Sequence, residues 1–411
     1  MYHNTLFCNP AWKTNLIMDK TKLSVLSISA LNIMTNASIA PVLVYFDQAF
    51  PEVPLTNIRL MLTLPALFII LSSLITGSIA NKMPKRSLLF IGLLLYLIGG
   101  IGAGFCHTFT AILGFRIILG FGAGVTNTFS TVLISSFYTG DERMRMVGNA
   151  TLVSHLVAVL APLLAGWLAK FAWRYAFGIY GIALIVWIIT FFWLPEPQSG
   201  NHGIIKNKEV MQGMNMVYII AFNASLFMVS FYIFPTGIAH LINAREFGES
   251  QIAGLAASFS TLAAALINII FTHVMKFFKK YVWSFAISLL AGGFYLTACT
   301  PNTLLLFTGT FVSGIGTGIL FPAIMLRTTQ YAPQNDASRS VSLVVAGSNL
   351  GQFLSPLFYS LLQRANTEMI PIYFDFRSAT FLYVIALFIS LLLLKFPLVR
   401  VQPLPTIEIN T

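Results

Sequence analysis

Charge is what this chain lacks. Only 9% of its 411 residues are Asp, Glu, Lys or Arg, against 57% hydrophobic. So few charges cannot cover the surface of a water-soluble protein of this length. Apolar runs of about twenty residues recur throughout, each long enough to cross roughly 30 Å of hydrocarbon as a helix. Cysteine is scarcer still: Cys8, Cys106 and Cys299 are too few and too scattered for a disulfide framework or a zinc site. The histidines, His3, His107, His155, His202, His240 and His273, have no metal-ligand spacing. No nucleophile elbow or phosphate-binding glycine loop precedes a soluble helix. No enzyme activity, metal or cofactor is expected. No soluble domain interrupts the apolar runs, which excludes a nucleotide-driven module between them.

What is present is a set of twelve expected spans, near 22–46, 56–80, 86–106, 108–134, 146–168, 175–194, 213–241, 250–274, 282–299, 303–325, 340–361 and 377–395. The net charge of +11 reads as orientation once its positions are laid on these spans. With the N-terminus inside, Lys82, Lys85, Arg86, Arg143, Arg145, Lys206, Lys208, Lys276, Lys279, Lys280, Arg327 and Arg339 fall on the cytoplasmic side. Arg59, Lys170, Arg174, Arg245, Arg364 and Arg377 fall outside, and Arg116 lies within a span. This bias follows the positive-inside rule, so a lipid bilayer, not nucleic acid, is the expected partner of the basic residues. Both termini are expected in the cytoplasm of a bacterial plasma membrane, and the molecule is expected to be a monomer. The first twenty residues lack a basic-then-apolar signal pattern, and Met18 is a candidate second start.

The chain also repeats. Shifted by 194 residues, Gly120, Gly122 and Gly124 fall on Gly314, Gly316 and Gly318, Arg145 on Arg339, and Pro162 on Pro356. Lys82, Lys85 and Arg86 fall on Lys276, Lys279 and Lys280. The longest polar stretch, 195–212, divides the spans six and six. The expected domains are therefore 1–194, a cytoplasmic linker at 195–212, and 213–411. The expected fold is an all-α membrane protein: two six-helix bundles related by pseudo-twofold symmetry, with transport through the cleft between them.

Three segments carry a resemblance to a known family. Gly77-Ser-Ile-Ala-Asn81-Lys82-Met-Pro84-Lys85-Arg86 resembles the loop signature of the major facilitator superfamily, with Pro84 where that signature has glycine. Arg116-Ile-Ile-Leu-Gly120-Phe-Gly122-Ala-Gly124 is similar to the superfamily's arginine–glycine motif in the fourth span. Ala161-Pro162-Leu-Leu-Ala165-Gly166 resembles the fifth-span element of the drug:proton antiporter branch, with alanine at two glycine positions. Asp141-Glu142-Arg143, Gly148 and the Gly351-to-Pro356 run of span 11 also match the family's landmarks. The resemblance implies the major facilitator fold and a gate at Gly77, Asn81, Lys82, Lys85 and Arg86 that latches the outward-facing state. It also implies helix packing at Gly120, Gly122, Gly124, Pro162, Gly166 and Pro356. Secondary transport by alternating access follows, with proton-coupled export as the branch's activity.

All thirteen acids fall at span ends or in loops, Asp375 included, and Asn36-Ala-Ser-Ile-Ala-Pro41 in span 1 has no carboxylate where many multidrug antiporters carry one. The deep ionisable groups are then Arg116 and His155. An arginine in hydrocarbon needs a polar cavity or a partner, and a histidine can titrate near neutral pH and so carry a coupling proton. Each has a plainer alternative: a structural bond to backbone carbonyls for Arg116, a neutral bond to a nearby helix for His155. Asn32, Asn36, Asn127, Asn223, Ser230, Asn349 and Gln352 are candidate cavity residues that serve equally well as interhelical glue. Arg and His without a deep acid favour an anionic or polyhydroxy solute over a lipophilic cation. Export of a drug-like compound or of a metabolite, a carboxylate siderophore being one candidate, is the expected function. A facilitator or importer of a small polar solute and a non-transporting membrane sensor are the alternatives.

Overall fold

The structure is a computed structural model that describes residues 11–37, 39–79, 83–196, 211–332, 337–364 and 370–395. Among these, twelve helices are long and apolar enough to cross a membrane: α1 (Lys20–Ala49), α2 (Leu55–Ile79), α3 (Lys85–Phe105), α4 (Phe109–Phe137), α5 (Gly140–Ala169) and α6 (Trp173–Trp193), then α7 (Met214–Ala244), α8 (Ser250–Ile269), α9 (Phe271–Ala298), α10 (Thr303–Tyr331), α11 (Arg339–Gln363) and α12 (Pro371–Leu392). No strand occurs among the described residues. Short connections make consecutive helices antiparallel, so their ends fall on two faces. One, the linker face, carries the ends of α6 and α7. The opposite one is called the distal face.

Hydrophobic burial separates into two cores. Leu31, Leu62, Tyr96, Leu119, Phe177 and their neighbours fill the first half. Ile220, Ile238, Leu290, Ile319 and Phe376 belong to the second.

The 194-residue repeat is written into the geometry. Helix α4 is capped at its start by Thr108, whose Oγ1 accepts from the Ala111 N–H at 3.4 Å. Helix α10 is capped by Asn302, whose Oδ1 accepts from the Leu305 N–H at 2.9 Å. Both residues satisfy a helix-start donor that has no intrahelical partner, and they are one repeat apart. A Cβ added at Gly122 would sit 2.7 Å from the Gly92 carbonyl oxygen and 2.7 Å from the Tyr96 Cα in α3. At Gly316 it would meet Ala286 O at 2.9 Å and Leu290 Cγ at 2.8 Å in α9. All four contacts match across the halves, so these glycines are sites of close helix approach, as small residues are in membrane bundles.

Two helices are broken in the same place. Helix α1 tightens to a 3-10 turn at Ala40–Val42, with Pro41 supplying no N–H, before Leu43–Ala49 resumes. Helix α7 is interrupted at Tyr232, and its second piece, Ile233–Ala244, carries Pro235, one repeat beyond Pro41. These two distal pieces lie against each other across the halves.

Three expectations need correcting. Helix α12 starts at Pro371 and not near 377, so Asp375 lies inside it, one turn from its distal end, fully buried at 0% exposure. Arg59, counted only among the outside charges that set orientation, lies one turn into α2 and is 2% exposed, away from water. Gly77, expected in the gate as a site of close helix approach, has no atom of the described residues within 4 Å of its Cβ position. Asn81, Lys82, the linker interior at 197–210 and the side chains of Met18 and Asn36 lie outside the described residues.

Candidate functional site

The halves meet along α5 with α8 and α2 with α11. On α5, Gly166 and Pro162 let α8 approach closely: a Cβ at Gly166 would stand 2.6 Å from the Ser250 carbonyl oxygen. Ser250 Oγ donates to the Gly166 carbonyl at 2.9 Å, and Ser258 Oγ to that of Val159 at 2.6 Å. Ser250 Oγ also lies 3.4 Å from the Tyr45 hydroxyl of α1. Two ion pairs complete the seam. Arg59 Nη1 donates to Asp375 Oδ2 at 2.6 Å. His240 Nε2 on α7 lies 2.8 Å from Asp47 Oδ2 on α1, an ion-pair distance without hydrogen-bond alignment.

All of these contacts lie in the distal half of the bundle. Exposed apolar side chains run along the whole length of these helices, from Val147 to Trp167 on α5 and from Val345 to Leu361 on α11.

Inside the first half a column of polar groups runs along α1 and α4. Ser29 and Ser130 hydroxyls bond at 3.0 Å, and Ser154 Oγ on α5 donates to the Ser29 carbonyl at 2.9 Å. Because α1 and α4 are antiparallel, Asn32 and Asn127 each lie one helical turn, about 5 Å, distal of that serine pair. The Oδ1 atoms of both asparagines are buried with no hydrogen-bond partner among the described residues. One turn further, Thr35, Tyr96, Tyr180 and Arg116 form a hydrogen-bonded network, in which Arg116 Nε and Nη2 have no partner among the described residues. The Tyr180 hydroxyl donates to the Thr35 carbonyl at 3.0 Å, Tyr96 to that of Leu31 at 3.0 Å, and Arg116 Nη1 donates to the Tyr180 hydroxyl at 2.9 Å.

Arg116 therefore sits within its own half. It is 1% exposed, with its guanidinium 5.0 Å from the centre of the Phe177 ring and 5.3 Å from that of Tyr180. These aromatic faces offset part of the cost of a buried cation. His155 is half-buried on α5, one residue from Ser154. In the second half Gln352 is 5% exposed, and its Nε2 lacks a partner among the described residues. Asn349 is half-buried. Asn223 is exposed and donates to the Ile219 carbonyl of its own helix, and Ser230 does the same to Leu226.

Of the expected gate residues, Arg86 stays with its own half: its guanidinium donates to the Phe191 carbonyl and lies 5.3 Å from the centre of the Phe90 ring. Of the packing residues, Gly120 meets Pro65 and Gly124 meets Ser72 of α2. Pro356 lies inside α11, next to Ser355, which donates to the Val229 carbonyl at 2.8 Å. Sequence reasoning missed the two cross-half ion pairs, although Asp375 four residues after Ile-Pro371 was a signal for a helix-embedded acid.

Comparison with known proteins agrees with this architecture. The probable sugar efflux transporter of Helicobacter acinonychis (strain Sheeba) is 24% identical over 352 residues, covering 83% of this chain and 88% of the relative. The multidrug efflux pump SdrM of Staphylococcus aureus (strain N315) is 26% identical over 169 residues, 39% of this chain and 36% of that one. Among solved structures, a bacterial homolog to the human lysosomal transporter Spinster, inward-facing and occupied, superposes with a TM-score of 0.76 at 15% identity, over 94% of this chain and 98% of that one. The D-xylose-proton symporter gives 0.72 at 13% identity, over 92% and 97%. The family model of the Major Facilitator Superfamily matches residues 25–240 and 216–409, and the chain is thus a member of that superfamily of membrane transporters.

Proposed function

We propose that this transporter exports a small neutral polyhydroxy solute in exchange for protons by alternating access, and that the described state is closed at the distal face and open at the linker face. The observation that carries the reading is the seam. Its two ion pairs and its serine–carbonyl bonds all lie in the distal half of the helices that join the two halves. Rocking the halves about that seam exchanges the open face.

The solute class follows from which polar groups remain unpaired. Asn32, Asn127 and Gln352 offer amide atoms with no partner among the described residues, and amides bind hydroxyls without a net charge. Arg116 Nε and Nη2 are also unpaired among the described residues, but the guanidinium is 1% exposed beside Phe177 and Tyr180, which weighs against an anionic solute there. The relatives matched over most of their length, which are probable sugar efflux transporters, favour the same class.

The test is transport in everted membrane vesicles with an imposed pH gradient. Labelled neutral mono- and disaccharides are expected to accumulate when the gradient is present, and to stop when it is collapsed. Uptake of cationic dyes or carboxylates in place of sugars would overturn the solute class. Uptake indifferent to the gradient would overturn proton coupling in favour of a facilitator.

A further inference from the structure

Asp375 and Arg59 are charged residues from opposite halves, 316 positions apart, meeting at 2.6 Å with 0% and 2% exposure. The carboxylate is held from a second side by Gln363 Nε2, which lies 2.8 Å from both of its oxygens. The guanidinium is less well served: its Nε and Nη2 are buried with no partner among the described residues. Opening the distal face must pull α2 from α12 and so divide this pair. A carboxyl that carries a proton cannot be the ionic partner of Arg59, so protonation of Asp375 and closure of the distal face exclude each other.

We propose that Asp375 is a proton-binding site of this transporter, at which a proton and Arg59 compete for one carboxylate, so that acidification at the distal face favours its opening. The inference deepens the proton-coupled reading above and rests on it. The step moves one proton only: it leaves water, joins a carboxylate oxygen of Asp375, and displaces the Arg59 N–H. Asp375 is suited to this because the exchange needs no new partner. Once separated, both groups face water that the closed state excludes.

The surroundings single this acid out. From α11, Gln363 and Tyr359 face it, and the Tyr359 hydroxyl is engaged with the Ser230 carbonyl at 3.3 Å. From α9, its principal packing neighbour, the ionisable side chain in the distal half is Tyr295, which is 57% exposed; His273, Lys276, Lys279, Lys280 and Tyr281 lie at the opposite end. From α7 come His240, which is 8% exposed, and Arg245, which donates to the Ala298 carbonyl at 3.2 Å. From α2 there is Arg59, and on α12 itself Arg377 is exposed and Tyr383 is buried. His240 acts with the opposite sign: a proton on it strengthens its attraction to Asp47 and favours closure.

The chain supplies its own reporters. Cys106 and Cys299 lie just past the distal ends of α3 and α9, one in each half. With Cys8→Ser, spin labels on these two thiols report the distal separation of the full chain in lipid nanodiscs, recorded from about pH 8 to about pH 5. The separation is expected to lengthen on acidification in the otherwise native protein and in His240→Gln, and to lose its pH response in Asp375→Asn. Gln363→Leu removes donors that favour the ionised carboxylate, so its transition should move to higher pH. This variant keeps the test decisive if Asp375→Asn fails to fold.

A pH-independent separation in the native protein would overturn the proposal. So would a response that survives Asp375→Asn, one that disappears in His240→Gln, or a Gln363→Leu transition that does not move. Vesicle transport separates this from the broader reading. Export that still responds to acidification of the distal side in Asp375→Asn sinks the site and leaves proton coupling standing. Gradient-independent export with a pH-responsive distal face does the reverse.

Discussion

Asp375 of α12 accepts a hydrogen bond from Arg59 of α2 at 2.6 Å across the boundary between the two halves. Desolvation of both charges nearly cancels their attraction, so such a pair contributes little as a whole but is costly to break from one side. Arg59→Ala or Asp375→Ala should therefore destabilise the closed state by about 3–5 kcal/mol, while Arg59→Met combined with Asp375→Leu should be nearly neutral. Thermal unfolding in detergent distinguishes the single from the double variants.

A second prediction concerns the repeat. Gly122→Ala and Gly316→Ala each drive a methyl into a facing helix of the same half, and overpacking of this kind costs about 1–3 kcal/mol. Gly148→Ala, where no atom lies within 4 Å of the new Cβ, is the control and should leave the melting temperature unchanged. Equal losses for the two halves are expected because the contacts are repeat equivalents.

Arg116 and Tyr180 form the third pair. Tyr180→Phe removes an acceptor from Arg116 and a donor to the Thr35 carbonyl, two hydrogen bonds worth about 1 kcal/mol each. The variant should melt at lower temperature while its KM for the exported solute stays constant. A raised KM with unchanged melting would place Arg116 in the solute site instead.

Asn32→Ala and Asn127→Ala should behave the other way. Each loses about 1 kcal/mol of solute binding, a roughly fivefold rise in KM, with little change in melting temperature. Their adjacency beside the Ser29–Ser130 bond should make the double variant non-additive. Initial rates in vesicles at varied solute concentration give both constants.

The fifth prediction concerns Cys106, which lies between α3 and α4. Burial pushes its thiol above the ordinary range, because desolvation disfavours the thiolate. At neutral pH the reactive fraction is then small, so alkylation should be slow and should quicken as pH rises. A rate that is flat with pH would contradict this.

Composition and periodicity were enough for the scaffold. The scarcity of charge requires a membrane protein. Gly120, Gly122 and Gly124 and their repeats at Gly314, Gly316 and Gly318 foretold the close packing, and the motif from Arg116 to Gly124 pointed to the family. Much of the candidate site was less legible. For Arg116 the sequence leaves a cleft role and a structural bond both open, because helical spacing gives a direction around one helix but not what stands opposite. Tyr180 and Phe177, which enclose it, come from a helix sixty residues further along.

Asp375 and Arg59 make the same point more sharply. Each looked like an ordinary span-end charge, and hydropathy averages over a single segment, so neither could be read as buried. What the sequence alone determined was therefore local or repeated: the number of spans, their duplication and the superfamily. What only the tertiary structure decided was which charges face one another. That depends on docking two bundles whose contacting residues lie hundreds of positions apart, where burial and partner choice follow from the assembled surface.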